Sequence, residues 1–190
     1  MRGSLFVVSG PSGVGKGTVL RRVLERLPHA RKSVSVTTRE PGPREVPGDE
    51  YFFVEEDEFQ RRLASGEFLE WAGVHGHRYG TPAAWVDDQL AAGTDVVLEI
   101  DVQGGRQVRE KRPDGCLVFL SPPSMEELER RIRGRGRDDE AEIERRLNVA
   151  RRELDFAPDY DHNVVNDELE SAVEQVVEIL RRRREGEAGK

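Results

Sequence analysis

Between residues 10 and 18 the chain reads Gly-Pro-Ser-Gly-Val-Gly-Lys-Gly-Thr, and no other stretch restricts the fold as much. Four glycines in nine residues suit neither a helix nor a strand interior, so they mark a turn whose backbone amides are free to point inward. Residues 4–9 before it carry Leu5, Phe6, Val7 and Val8, a continuous apolar run that predicts a strand buried on both faces. After it, Val19, Leu20, Val23, Leu24 and Leu27 recur at helical spacing, and Pro28 is expected to stop that helix. Strand, glycine loop and helix in this order form an anion site. The helix N-terminus supplies about half a positive charge and the loop supplies amide donors.

The run Gly10, Pro11, Ser12, Gly13, Val14, Gly15, Lys16, Gly17, Thr18 fits G-x-x-x-x-G-K, the spacing of a nucleotide phosphate loop in which the lysine reaches the β- and γ-phosphates. A purely structural glycine turn is the alternative, and the flanking strand and helix speak against it. Gly17 fills the slot that usually holds Ser or Thr. Mg²⁺ is therefore expected either on Thr18 or on phosphate oxygens and water. The Lys-Gly-Thr ending is similar to that of nucleoside monophosphate kinases, which points to phosphoryl transfer between nucleotides.

The strand–helix rhythm returns at residues 96–100, at 116–120 and at 164–165. Helices are expected through Gln107 and Val108, after Ser124 (which has capping-box spacing with Glu127), over 138–154, and from Leu169 to Leu180. This pattern predicts an α/β fold, a parallel sheet covered by helices on both faces. Residues 33–85 break the rhythm with extended pieces at 33–38, 51–54 and 68–72 and a short helix at 57–65, which reads as an inserted lobe. Residues 122–158 are polar, helical and rich in arginine, and Gly134-Arg135-Gly136 interrupts them as a mobile segment would. The core is then 1–32, 86–121 and 159–190.

Net charge is -7, from 37 acidic and 30 basic side chains, which argues against a general polyanion-binding protein. Only Lys16, Lys32, Lys111 and Lys190 are lysines, so the loop lysine stands out among arginines. One cysteine, Cys116, excludes an internal disulfide framework and a multi-cysteine zinc site. No apolar run approaches the ~18 residues of a membrane span, and Arg2 is followed only by the short run from Leu5 to Val8. Cytoplasmic location is the expectation, with no membrane or polymeric nucleic-acid partner.

Further along stand Ser-Val-Thr-Thr-Arg from Ser35, Tyr-Phe-Phe from Tyr51, Leu-Glu-Trp from Leu69 and Tyr-Gly-Thr from Tyr79. Leu-Glu-Ile-Asp-x-Gln-Gly from Leu98, Pro-Pro-Ser from Pro122, Gly-Arg-Gly from Gly134 and Val-Val-Asn-Asp from Val164 complete the series. In this order and spacing, from Ser9 to Asp167, the chain resembles guanylate kinase, which transfers a phosphoryl group from ATP to GMP. The resemblance implies a P-loop NTPase core, a GMP-binding lobe and a helical lid. It implies that Ser35, Arg39, Tyr51 and Tyr79 hold the GMP phosphate, and that Glu70 accepts from guanine N1–H and N2–H₂ with help from Thr81 and Asp101. Arg131, Arg135 and Arg146 of the lid would face ATP phosphates, joining Lys16 and Arg39 in catalysis, with Mg²⁺ accompanying ATP. Asp101 would also orient Mg²⁺-bound water, and dGMP would serve as a second acceptor. Asn166 and Asp167 either border the adenine site or form a turn.

One departure stands out: the family's second phosphate-binding arginine would fall at Gly42, and Arg44 is the candidate in its place. The chemistry of Glu70 also stands by itself, since a carboxylate offers paired acceptors to guanine's paired donors, while adenine lacks the 2-amino group and has an acceptor at N1. A surface carboxylate on a strand is the alternative for Glu70. Strand alternation would put Ser35, Thr37 and Arg39 on one face. His75 and His77 lack companion cysteines and read as a polar loop, while Cys116, Trp71 and Trp85 read as packing residues. A ribose 1,5-bisphosphate phosphokinase and a non-catalytic guanylate-kinase-like binding module remain the rival functions.

Overall fold

The apolar run near the N-terminus forms strand β1 (Leu5–Ser9), buried throughout. Pleating sends Phe6 and Val8 into one apolar cluster and Leu5 and Val7 into another, which is why the run is continuous rather than alternating. The computed structural model describes residues 2–43, 45–49, 51–74, 76–134, 136 and 139–188. Chain order continues with α1 (Lys16–Arg26), β2 (Ala30–Lys32), β3 (Ser35–Thr37), β4 (Tyr51–Phe53), α2 (Glu56–Ala64), β5 (Phe68–Val74), β6 (His77–Pro82) and α3 (Ala83–Ala91). Then follow β7 (Asp95–Glu99), α4 (Val102–Lys111), β8 (Cys116–Ser121), α5 (Met125–Arg133), α6 (Glu140–Leu154), β9 (His162–Val165) and α7 (Leu169–Ala188).

Five strands pair in parallel in the order β2-β7-β1-β8-β9. Helices α1 and α7 cover one face through Val19, Leu20, Val23, Val173, Val176 and Leu180. Helices α3 and α4 cover the other through Val86, Leu90 and Val108. Strands β4-β3-β6-β5 form a second, mixed sheet with its own core of Val36, Phe59 and Phe68, the two rings stacked at 4.7 Å. Helices α5 and α6 pack on each other through Leu128, Ile132, Ile143, Leu147 and Ala150.

Pro28 stops the first helix as expected: Leu27, just before it, leaves helical geometry and its amide turns back to Leu24 O, so the helix ends at Arg26. Other local expectations need correction. Helix α6 starts at Glu140, and its expected start at residue 138 lies outside the described residues; the Asp139 carboxylate accepts from Glu142 N and caps it, as Ser124 accepts from Glu127 N and caps α5. Strand β2 is a three-residue edge with Arg31 and Lys32 exposed, too short and polar to stand out in the pattern. Helix α3 begins immediately after β6 and packs on the parallel sheet, so a boundary between residues 85 and 86 passes through a helix.

Candidate active site

The loop between β1 and α1 turns at Gly15, whose φ of +100° lies in the left-handed region that glycine adopts without strain. Lys16 opens α1. Its ammonium donates to Gly10 O at 2.5 Å and faces Pro11 O at 3.3 Å. Asn166, buried just beyond β9, donates from Nδ2 to Val14 O at 2.7 Å and fastens the loop to the neighbouring strand end. Arg131 of α5 donates from Nη1 to Asn166 O at 2.9 Å and is paired with Glu127 at 2.8 Å. Arg146 of α6 donates from Nη2 to Ser12 Oγ at 2.7 Å. Thus Lys16, Arg131 and Arg146 converge on one loop. Thr18 is exposed on the first turn of α1. Arg135 and Arg44 lie outside the described residues, as does His75.

On the second sheet Ser35 and Tyr51 are register partners on β3 and β4, and Tyr79 stands opposite Thr37 on β6. The Tyr51 and Tyr79 rings meet edge to face at 5.9 Å. Arg39 lies two residues past the end of β3, so strand alternation does not set its direction as expected; its backbone amide donates to Oγ1 of buried Thr37 at 3.1 Å. Its guanidinium carbon sits 5.4 Å from the Tyr51 ring centroid.

Glu70 is buried, not on a strand surface, and Oε1 accepts from Thr81 Oγ1 at 2.5 Å. A register shift between Phe68 and Glu70 sets Glu70 opposite Thr81. Gln107 of α4 locks the adjacent residue, accepting from Trp71 N at 3.1 Å and donating to Trp71 O at 2.9 Å. Gly104, in the first turn of α4, leaves room for the carboxylate: a Cβ there would stand 2.9 Å from Glu70 Oε2. Burial pushes the Glu70 pKa up to about 7, and the Asp101 charge adds to the rise, against the opposing hydrogen bond from Thr81. Asp101 caps α4, its Oδ1 accepting from Gly104 N at 2.8 Å, at the C-terminal end of a central strand where open α/β sheets bind ligands.

A cavity of about 340 Å³ is lined by Ser35, Tyr51, Glu70, Tyr79, Glu99 and Asp101. An adjoining one of about 470 Å³ shares Ser35, Tyr51, Glu99 and Asp101 and reaches Lys16. One continuous cleft therefore carries a buried carboxylate at one end and the phosphate loop at the other. Such a cleft can hold two phosphorylated molecules with their phosphates facing.

Four residues escaped the sequence reading. Glu99 pairs with Lys32 at 2.8 Å and stands 3.3 Å from where a Cβ on Gly17 would be, so it lines the space left by the missing Ser or Thr. Its place two residues before Asp101 in a strand was the available signal. Glu153 of α6 is held above the usual carboxylate range by burial, with Lys16 opposing and the Ser12 amide against it. Its spacing of seven from Arg146 puts both on one helix face. Gln107 and Glu45 gave no local signal. Cys116 is buried, and Trp71 and Trp85 pack half-buried against apolar clusters. Among the described residues no group of three or more His, Cys, Asp or Glu side chains is placed to hold a metal. No described helix is long and apolar enough to cross a membrane.

A family model for guanylate kinase matches residues 2–183. A guanylate kinase of Synechococcus sp. (strain JA-3-3Ab) is 51% identical over 179 residues, 94% of this chain and 82% of the relative. One of Rubrobacter xylanophilus is 48% identical over 181 residues, 95% of each chain. The crystal structure of guanylate kinase from Anaplasma phagocytophilum superposes with a TM-score of 0.76 at 35% identity, covering 96% of this chain and 87% of that one.

Proposed function

This chain belongs to the guanylate kinase family and transfers a phosphoryl group from ATP to GMP, and on that premise we propose how its residues divide the work. Neither rival, a ribose 1,5-bisphosphate phosphokinase or a non-catalytic binding module, is supported by these relatives.

The loop from Gly10 to Thr18 holds the ATP phosphates on its amides, with Lys16 leaving Gly10 O to meet the β- and γ-oxygens. Ser35, Arg39, Tyr51 and Tyr79, with Arg44, hold the acceptor phosphate. The Glu70 carboxylate reads guanine, with Thr81 fixing its direction and Asp101 contributing beside it; dGMP fits the same contacts. A base that leaves such a buried acceptor unpaired is rejected by up to ~10⁴-fold. Catalysis is positioning and charge neutralisation. Lys16 and Arg39 bring the two phosphates together, and Arg131, Arg135 and Arg146 cancel charge as it spreads over the moving group. We read residues 33–82, up to the start of α3, as the acceptor lobe, 122–158 as the lid, and the rest as the core.

The donor set suits Mg²⁺ carried in by the nucleotide rather than caged by protein: hard oxygens of Thr18, Glu99 and Asp101 stand near the loop without forming a closed shell. Thr18, and Asp101 through water, would hold it, and the ion would neutralise phosphate charge. A single buried cysteine suits the reducing cytoplasm, where we place the reaction.

The observation that carries these assignments is the shared cleft between Glu70 and Lys16. Coupled ADP release with ATP and GMP, dGMP or AMP tests them, together with Lys16→Met and Glu70→Gln. Activity on GMP and dGMP with little on AMP is expected. Lys16→Met should abolish transfer in a folded protein, and unchanged base selectivity in Glu70→Gln would remove Glu70 from base recognition.

A further inference from the structure

Glu45 has no part in the roles assigned above, yet it commands the guanidinium assigned to the acceptor phosphate. Its Oε1 accepts from Arg39 Nη2 at 2.7 Å, and its Oε2 from Nη1 at 2.9 Å. Oε2 also accepts from Gly42 N at 2.6 Å, which tethers the carboxylate to the loop. Arg39 Nη1 donates its second hydrogen to Glu40 O at 2.8 Å. The Tyr51 and Phe53 rings, 5.4 and 5.7 Å from the guanidinium carbon, restrain its plane. A guanidinium has five N–H donors in a rigid fork. Glu45 takes two and Glu40 one, so the donors left among these contacts are Nε–H and the second Nη2–H, which form one side edge. The Tyr79 hydroxyl lies against the same guanidinium. A side chain at Gly42 would press on this arrangement, since a Cβ there would stand 3.0 Å from Glu45 Oε2.

We propose that Glu45 is a positioning residue: by filling the end-on edge of Arg39 it presents the side-on edge, with two parallel N–H groups, to the phosphate of GMP. This rests on the reading of Arg39 as a phosphate ligand. The pairing is tight enough to hold the Glu45 carboxyl below the usual carboxylate range.

Positioning and bare electrostatics give opposite signs for the loss of Glu45. A carboxylate near a dianion site repels the ligand, so its removal should tighten GMP binding if charge alone mattered. Positioning gives the reverse, because an arginine freed to rotate loses its two-point fit to phosphate oxygens.

The test is calorimetric binding of GMP and of guanosine to the full chain as parent, Glu45→Gln, Glu45→Asp and Arg39→Met, with KM for ATP alongside. Glu45→Gln is expected to weaken GMP about tenfold, the loss of one charge-assisted hydrogen bond, and to leave guanosine affinity and the KM for ATP unchanged. Glu45→Asp keeps the charge but shortens the reach, and should weaken GMP too. Equal or tighter GMP binding by Glu45→Gln overturns the proposal, as does an equal loss for guanosine. Arg39→Met separates the two readings. If it weakens GMP while Glu45→Gln does not, positioning alone fails; if it leaves GMP binding intact, the role of Arg39 fails and the proposal with it.

Discussion

Thr81 Oγ1 donates to Glu70 Oε1 at 2.5 Å, and both side chains are buried in the lobe between the second sheet and α4. The Thr81 hydroxyl and backbone amide are too little to keep a buried carboxyl fully ionised, and burial raises its pKa to about 7. Guanine presents only donors at N1 and N2, so the protonated acid meets donor with donor. GMP binding should therefore strengthen as pH rises from 6 to 8, with a midpoint near 7 in kcat/KM for GMP. At pH 6.5 binding should release a proton, visible as a calorimetric enthalpy that depends on the buffer's ionisation enthalpy. A flat profile, or one that Glu70→Gln leaves unchanged, would remove Glu70 as the titrating group.

The same pKa carries a stability prediction. Glu70 sits above its ordinary value of 4.5, so the folded state holds the proton more tightly than the unfolded chain. Its contribution is complete below about 4.5 and is lost as pH rises through about 7, a change of about 3 kcal/mol. Glu70→Gln keeps an acceptor for Thr81 and cannot ionise. Above pH 7 it should unfold at higher denaturant than the parent, while losing guanine recognition. Parallel pH–stability curves for the two proteins would contradict the buried charge.

The parallel sheet was legible because its inner strands β1, β7 and β8 are buried on both faces, and an apolar run such as residues 5–8 has few other uses. The phosphate loop was legible because its chemistry is local. The acceptor site was less so. The pattern named Glu70 and Thr81, but nothing local said that a register shift would set them opposite each other, or that α4 would bury the carboxylate. Glu45 and Gln107 act on residues six and thirty-six positions away, through contacts that only the folded lobe creates. Strand β2 escaped because an edge of three residues, two of them charged, carries no periodicity.

Gly104 offers a check on how closely α4 must approach the acceptor site. A Cβ there would stand 2.9 Å from Glu70 Oε2 and 3.2 Å from Ile100 Cδ1. Gly104→Ala improves helix propensity by about 1 kcal/mol, so a general loss of fold is not expected. The crowding falls on Glu70, the residue proposed to read the base. The KM for GMP should rise about tenfold or more, with little change in the KM for ATP. Equal effects on both nucleotides would show that α4 supports the whole cleft rather than Glu70.

Asn166 tests the support of the phosphate loop. Its Nδ2 donates to Val14 O at 2.7 Å from a buried position. Asn166→Ala removes the donor and should raise the KM for ATP by about tenfold, in line with 1–2 kcal/mol for a buried hydrogen bond. Asn166→Asp should be worse than alanine, because a carboxylate oxygen would then face the Val14 carbonyl. Guanosine affinity should not move in either variant. Aspartate matching asparagine would mean that this contact does not hold the loop.

Helices α5 and α6 share a small apolar cluster of five buried side chains among the described residues, and reach the phosphate loop through polar contacts such as Arg146 to Ser12 and Arg131 to Val14 O. Polar contacts of this kind re-form at little cost, whereas the large apolar clusters on the parallel sheet do not slide. Phosphoryl transfer must exclude water, or ATP is hydrolysed instead. The segment 122–158 should therefore close over the loop when both nucleotides are bound. Trypsin has many arginines to cut there. GMP together with a non-hydrolysable ATP analogue should slow cleavage of this segment more than either ligand alone. Equal protection by the analogue alone would place closure under control of the donor only, and no protection by the pair would contradict a closing lid.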